Sequence, residues 1–305
     1  MLGLGNTLSG GIVPAVVSSF ANSYAVAKGL TTGSSHYIRA TIPSDSPINF
    51  VEDDAWTISF WVKPGWGADL NTYTQFMATI PSDASSAWDN HLRIYYHESY
   101  NRLTVIQANN PGAGNYDIAG EWLFHSDSGN YAAGYAAAGL GETYWSTDNK
   151  GNVGDNDFTL ITVTKTGSTA SSAMTLYWNA TTCGAPPIQS DSSPESLGMV
   201  TNEEHELVIG STVLYHSYAK CGNNAETQFN DFAIWDVALD ADAVAAIYNS
   251  GTPIDLTSNS GNYDNSADLQ LYYEFENNGT ANTNVDLSGT DYDITVAGDS
   301  NFESL

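Results

Sequence analysis

Alternation of apolar and polar side chains is the feature that most limits the possible folds of this 305-residue chain. In residues 56–63 every second side chain is apolar, namely Trp56, Ile58, Phe60 and Val62. The same period recurs at 92–97, 174–178 and 269–276. A two-residue period is that of a half-buried β-strand. Runs that are apolar on both faces predict central strands. The sequence therefore predicts an all-β fold, with about a dozen strands in a two-sheet antiparallel sandwich.

One segment departs from this period and predicts a short helix. Asp240 can cap its amino end, and Asp242 adds negative charge in the first turn, where the helix dipole favours it. Apolar residues within 244–248 share a face, and Gly251 stands where a C′ glycine belongs. We expect a helix of at most three turns, packed on an edge of the sandwich.

The charge of the chain excludes some classes of partner. Thirty-five acidic residues against eight basic ones give a formal net charge of −27. Such a surface repels nucleic acid and anionic membranes. The apolar run at 12–17 is far shorter than the roughly 20 residues of a membrane span. We therefore expect neither nucleic-acid binding nor membrane insertion, and we expect some carboxylates to form Ca²⁺ sites.

Two regions stand apart from the strand pattern. Residues 1–28 are glycine-rich and carry no charge before Lys28, and they lack the basic start and long apolar stretch of a secretion signal. We interpret them as an arm that docks on another subunit, and residues 29–305 as one domain. Residues 107–157 look like an elaborated insertion, a kind of segment that often carries function. Cys183 and Cys221 allow one disulfide, and their pairing stays open.

Residues 229–251 carry a resemblance to a known family. The segment reads Phe-Asn-Asp-Phe-Ala-Ile-Trp-Asp-Val-Ala-Leu, continues into the predicted helix and closes on Tyr-Asn-Ser-Gly. It closely resembles the C-terminal block of laminin-G-like jelly rolls, of the concanavalin A-like lectin kind. Further segments match in the same order, at 34–38, 56–64, 158–167 and 207–210. The resemblance implies a jelly-roll sandwich, and it implies that Asp231 helps to hold a structural Ca²⁺.

A second resemblance concerns the N-terminus. Residues 1–11, Met-Leu-Gly-Leu-Gly-Asn-Thr-Leu-Ser-Gly-Gly, look like the start of structural proteins of marine bacteriophages. Phage proteins need no secretion signal because they leave the host by lysis. This resemblance implies a location in the virion, contacts with other virion proteins through residues 1–28, and a homo-oligomer. The alternative location is extracellular.

Signals for catalysis are weak in the sequence. A retaining glycosidase needs two carboxyl groups about 5 Å apart, and this fold commonly presents them as Glu-x-Asp-x-Glu, a string that does not occur. Glu274 and Glu276 share a face, and we interpret them as a solvated strand end. The six histidines lack zinc-ligand spacing. We therefore predict a non-enzyme with no catalytic residues.

Two sets of residues remain as candidate sites. The candidate Ca²⁺ ligands are Asp231, Asp54, Asp155 and Asp157. The aromatic residues that could stack on sugar rings, or alternatively pack the insertion onto the sheet, are Trp66, Trp88, Trp122, Tyr131, Tyr135 and Trp145.

Three functions follow from these features. The first is a non-catalytic phage virion protein (a decoration, fibre or tail component) whose lectin-like jelly roll contacts host surface glycans. The second is a secreted or cell-surface carbohydrate-binding lectin. The third is a glycan-cleaving enzyme.

Overall fold

Two antiparallel sheets pack face to face, which confirms the predicted all-β sandwich. The computed structural model describes residues 22, 24–28, 37–50, 53–63, 73–81, 92–97, 102–107, 118–123, 158–167, 170–186, 188–191, 204–210, 227–276, 283–297 and 301–304. The strands described in these ranges are β1 (Tyr24–Lys28), β2 (Tyr37–Ile42), β3 (Trp56–Lys63), β4 (Tyr73–Pro81), β5 (Leu92–His97), β6 (Arg102–Gln107), β7 (Ile118–Leu123), β8 (Thr159–Lys165), β9 (Met174–Trp178), β10 (Thr181–Gly184), β11 (Ile188–Asp191), β12 (His205–Ile209), β13 (Thr227–Trp235), β14 (Leu269–Tyr273), β15 (Thr283–Asn284), β16 (Ile294–Ala297) and β17 (Asn301–Ser304).

The order of strands mixes early and late parts of the chain. The first sheet runs β10-β9-β8-β3-β13-β1-β17, and β14 also pairs with β13. The second sheet runs β11-β7-β6-β5-β4-β12-β2-β16-β15. Every ladder in both sheets is antiparallel. Most neighbours are therefore distant in sequence, as in a jelly roll.

Aromatic side chains fill the space between the sheets. Phe60 of β3 contacts Phe76 of β4, with ring centroids 5.4 Å apart, and Phe232 of β13, at 5.9 Å. These rings are fully buried. The alternation predicted for β3 is confirmed, because Trp56, Ile58, Phe60 and Val62 all belong to this core.

A second apolar cluster lies on the outer face of the first sheet. It is covered by helix α1 (Ala241–Tyr248) and includes Trp235, Val244 and Ile247. The Asp240 side chain accepts a hydrogen bond from the Ala243 N–H at 2.8 Å, which confirms the predicted N-cap. The helix ends earlier than predicted. It stops at Tyr248 with Asn249 as the left-handed C-cap (φ 42°), so Gly251 is not its C′ residue.

Thr57 joins β3 to the turn that leads into α1. Its hydroxyl donates to the carbonyl of Val237 at 2.7 Å and accepts from the N–H of Leu239 at 2.9 Å. The Thr57 side chain and the N–H of Leu239 are buried, whereas Val237 is half-buried. This contact fixes the start of the helix relative to the first sheet.

The structure places parts of both predicted extra regions inside the sandwich. Tyr24–Lys28, assigned from sequence to the arm, is instead strand β1 between β13 and β17. Ile118–Leu123, within the predicted insertion, is strand β7 of the second sheet. Residues 1–21, 108–117 and 124–157 lie outside the described residues.

Two further features concern reactivity and membranes. Cys183 is a buried free thiol, and burial raises its pKa to about 12. Cys221 lies outside the described residues. No helix in the described part of the chain is long and apolar enough to cross a membrane.

Candidate functional site

The first sheet has a gap along one edge of β13. Strands β1 and β14 lie end to end on this edge, while β3 pairs with the opposite edge. The ladder with β1 covers residues 227–229, and the ladder with β14 covers residues 232–235. Asn230 and Asp231 fall between the two ladders, where the chain segments of β1 and β14 diverge.

A β-bulge places Asp231 at this gap. The register between β13 and β3 shifts by one residue between Asn230 and Ala233. Asp231 has a φ of 43°. The backbone N–H of Asp231 donates a hydrogen bond to the side-chain oxygen of Asn230 at 2.8 Å. A left-handed backbone costs a non-glycine residue about 1–3 kcal/mol, although aspartate tolerates it better than most. Bulges and such strain cluster at sites where a side chain is re-aimed.

The Asp231 carboxyl group links three segments of the chain. The Tyr272 hydroxyl of β14 donates to Oδ1 at 2.7 Å, and the Asn22 amide, just before β1, donates to Oδ2 at 2.5 Å. Tyr272 is fixed in turn, because its N–H donates to the Asp286 carboxylate at 3.0 Å and its carbonyl accepts from Leu287 at 2.9 Å. Groups from distant parts of the sequence therefore converge on one carboxyl.

A recess of about 220 Å³ opens beside this carboxyl. Its lining residues are Asn22, Asp231, Pro253, Ile254, Asp255, Tyr272, Glu274 and Glu276. The lining includes four carboxyl groups and no basic side chain. Phe232 pairs with Tyr273 at the end of the β13–β14 ladder. If this ladder is continued by one residue, Glu274 lies opposite Asp231. The volume is below the about 300–1,000 Å³ of drug-sized pockets, so the recess suits one sugar residue or a terminal group.

Burial dominates the electrostatics of the recess. Asp231 is 5% exposed, and burial raises its pKa well above the usual range. The charges of Glu274 and Glu276 raise this pKa further, while the hydrogen bonds from Tyr272 and Asn22 oppose the rise. The pKa of Glu274 is also raised, first by burial and then by Asp255. The recess therefore favours ligand groups that donate hydrogen bonds and disfavours anionic ones.

Two of these carboxyl groups, those of Asp231 and Glu274, share a neighbour in Tyr272. The Tyr272 hydroxyl lies 2.7 Å from Asp231 Oδ1 and 3.5 Å from Glu274 Oε1, so the two carboxyl oxygens are within about 6 Å of each other. Retaining glycosidases hold their carboxyl groups about 5–5.5 Å apart with the glycosidic bond between them. Here the Tyr272 phenol oxygen lies within 3.5 Å of both carboxyl groups.

The structure separates the predicted Ca²⁺ ligands that it describes. Asp231 lines the recess, whereas Asp54 lies near Asp236, just beyond the carboxyl end of β13, and is not part of the lining. The Asp54 carbonyl accepts a hydrogen bond from the Lys165 ammonium at 2.9 Å. Asp155 and Asp157 lie outside the described residues.

The recess has the kinds of oxygen donor that Ca²⁺ needs but, among the residues that the structure describes, not a complete set of ligands. Carboxylate and amide oxygens are the donors that Ca²⁺ prefers, and the recess provides them. Within the described ranges, however, no three carboxylate, imidazole or thiol groups are placed to hold one ion. Ca²⁺ binding stays a prediction.

Trp122, one of the predicted sugar-stacking residues, is not available to stack on a sugar. It belongs to β7, it is 2% exposed, and its indole N–H donates to the Gly184 carbonyl at 3.0 Å. Strand alternation points its ring into the core, so the ring offers no face to a sugar. The remaining predicted sugar-stacking residues lie outside the described residues: Trp66, Trp88, Tyr131, Tyr135 and Trp145.

Sequence reasoning missed the partners of Asp231. Glu274 and Glu276 were interpreted as a solvated strand end, but both line the recess and Glu274 is half-buried. The sequence alternation at 269–276 predicts Tyr272, Glu274 and Glu276 on one face, although β14 itself ends at Tyr273. That this face meets Asp231 depends on the pairing of β14 with β13, which the alternation cannot give.

Comparison with known proteins identifies the fold. No protein-family model matches the chain, and no curated protein matches it. A Bacteroides ovatus protein of solved structure, described as a candidate carbohydrate-binding protein, matches with a TM-score of 0.50 and 10% identity over 93% of this chain and 60% of its own. The chain thus spans about three fifths of that protein. At this identity the match shows a shared jelly-roll fold and nothing finer.

Two other solved structures match less well. A heptameric SAP-like pentraxin from Limulus polyphemus matches with a TM-score of 0.43 and 13% identity, over 74% of this chain and 82% of its own. The binding domain of Paraclostridial Mosquitocidal Protein 1 matches with a TM-score of 0.42 and 14% identity, over 75% of this chain and 46% of its own.

Proposed function

We propose that the chain is a non-catalytic glycan-binding module and that the recess at Asp231 takes its ligand. The observation that carries the proposal is the convergence of Asn22 and Tyr272 on a strained, buried carboxyl beside an open recess that Glu274 also lines. Its oxygens are acceptors for the many hydroxyl donors of a neutral sugar. The description of the Bacteroides ovatus protein and the lectin-like sequence resemblance support glycans as the ligand class.

The non-catalytic part of the proposal rests on Tyr272. Its hydroxyl lies close to the carboxyl groups of both Asp231 and Glu274. We infer that a sugar in the recess contacts Glu274 and Glu276 from the solvent side and does not enter between Asp231 and Glu274. We expect binding without bond cleavage. Release of reducing sugar from any bound glycan would overturn this part.

Binding is tested on a glycan array with the full chain. Glu274→Gln keeps the shape of the recess and weakens one acceptor, so we expect at least a tenfold loss of affinity. Asp264→Asn is the matched control, because Asp264 is an exposed carboxylate outside the recess. Parallel arrays with and without EDTA separate direct binding from Ca²⁺-dependent binding. Failure to bind any glycan in either buffer contradicts the proposal.

We also propose that the module is displayed on a phage virion as a decoration, fibre or tail component. The support is the resemblance of residues 1–11 to marine phage structural proteins. Contacts with other virion proteins through the N-terminal residues and assembly as a homo-oligomer belong to the same proposal. Mass spectrometry of purified particles tests it, and absence of the protein from them would favour the alternative, an extracellular lectin.

A further inference from the structure

We infer that β1 and β17 form one terminal unit that opens and closes on the rest of the sandwich, with the Asn22–Asp231 hydrogen bond as its latch. The inference rests on strand pairing and one side-chain contact, and it is independent of which ligand the recess takes.

The unit is joined to the first sheet by a short ladder. Strand β17 pairs with β1 over four residue pairs and, among the strands described, with no other. Strand β1 pairs with β13 over three residue pairs, Val26–Lys28 with 227–229. The ladder between β3 and β8, by contrast, has seven pairs. Within the described residues, backbone pairing therefore joins these two strands to the rest of the sheet through three residue pairs, while the buried side chain of Ala25 adds packing.

The latch lies just past the end of that short ladder. The last pair between β1 and β13 is Val26 with Phe229, and the bond from Asn22 to Asp231 lies beyond it along the same edge. A hydrogen bond to a carboxylate changes an equilibrium about 10- to 100-fold. This contact therefore contributes strongly to the closed state of a unit that has few other pairs.

Opening of the unit has a structural consequence. Asn22 is part of the recess wall, so its departure removes one side of the recess and leaves Asp231 accessible. It also exposes the backbone edge of β13 at residues 227–231. Segments that open below the global unfolding free energy are characteristic of binding sites. The position of the terminal unit thus controls access to the recess.

Hydrogen exchange of the full chain, read by mass spectrometry, tests the inference. We expect amides of 24–28 and 301–304 to exchange together and faster than those of β8. Asn22→Ala should speed both strands at least tenfold and leave β8 unchanged. The matched control is Asn265→Ala, which removes a similar amide bond to Asp268 at 2.9 Å and should leave the unit unchanged.

A second variant covers the case in which Asn22→Ala unfolds the whole chain. Lys28 and Thr227 are paired residues of β1 and β13. Replacing both with cysteine in a Cys221→Ser background, then oxidising them, should slow exchange in 301–304 as well as in 24–28. The inference is overturned if β17 keeps its fast exchange when β1 is locked, or if both strands exchange only at the rate of β8.

Discussion

Replacing Asp231 with asparagine is expected to stabilise the protein at neutral and alkaline pH. The carboxyl is 5% exposed, and Glu274 and Glu276 lie near it in a lining without a basic side chain. Asparagine has the same shape and tolerates the left-handed backbone at φ 43°. It can keep both hydrogen bonds, because Tyr272 still donates to its oxygen and the Asn22 amide can rotate to accept from its nitrogen.

The magnitude follows from the charge that the variant removes. The effective cost of burying a carboxylate is several kcal/mol, and each hydrogen bond to it returns about 1.5–3 kcal/mol. Repulsion from the two neighbouring glutamates adds to the cost. We expect a net gain in the free energy of unfolding of about 1–2 kcal/mol at pH 8.

The pH dependence gives the prediction its sign. Burial raises the pKa of Asp231 in the folded state above its unfolded value, so the folded state holds the proton more tightly. The resulting stabilisation is complete below the unfolded pKa and is lost as the pH rises through the folded pKa. The wild type should therefore lose stability with rising pH relative to the variant, and the gain should shrink toward pH 5.

Urea unfolding at pH 5, 6.5 and 8 in EDTA measures this difference. Work below pH 5 is avoided because the sequence pI is about 4.1, where the chain carries little net charge. Asp264→Asn is again the control for a general loss of negative charge. A difference that does not change with pH, or a variant that is less stable at pH 8, would refute the reasoning.

Three further predictions concern other parts of the molecule. Thr57→Val should lower the free energy of unfolding by about 1–3 kcal/mol, measured in urea, because it removes the acceptor of the buried Leu239 N–H and the donor to the half-buried Val237 carbonyl. In a Cys221→Ser background, Cys183 should react with iodoacetamide at pH 8 at least 100 times more slowly in the folded chain than in urea. The reason is that its thiol is buried, which raises the pKa to about 12, and equal rates would contradict this. Millimolar Ca²⁺ should raise the Tm of the wild type and not of Asp231→Asn, and an equal effect on both would exclude Asp231 as a ligand.

The local part of the fold was predictable from the sequence. Alternation in β3 and β14 reports which side chains face the core between the sheets, although the other face of β3 is buried too. The N-cap at Asp240 reports a side chain bonding to its own neighbours. Both depend on residues close together in the chain. The C-terminal end of α1 was wrong by a few residues, because Asn249 adopts the left-handed cap that glycine was expected to provide.

The assembly of the site was not predictable in the same way. β1 pairs with strands about 200 and 275 residues later, and its short sequence Tyr-Ala-Val-Ala-Lys has no feature that selects them. The bulge at Asp231 arises from the register of β13 against β3. A single sequence therefore identified Asp231 through a family resemblance, but its partners depend on pairing between strands that only the folded chain reveals.

The pairing of β1 with β17 has a mechanical consequence. Tyr24, at the start of β1, lies opposite Ser304, at the end of β17, so force applied to these two residues acts on one end of an antiparallel ladder. Hydrogen bonds in such a ladder run across the strands, and this force loads them one after another rather than all at once. Tension between the first and last strands would then unzip the terminal pair at low force, while the longer ladders of the sandwich carry almost none of the load.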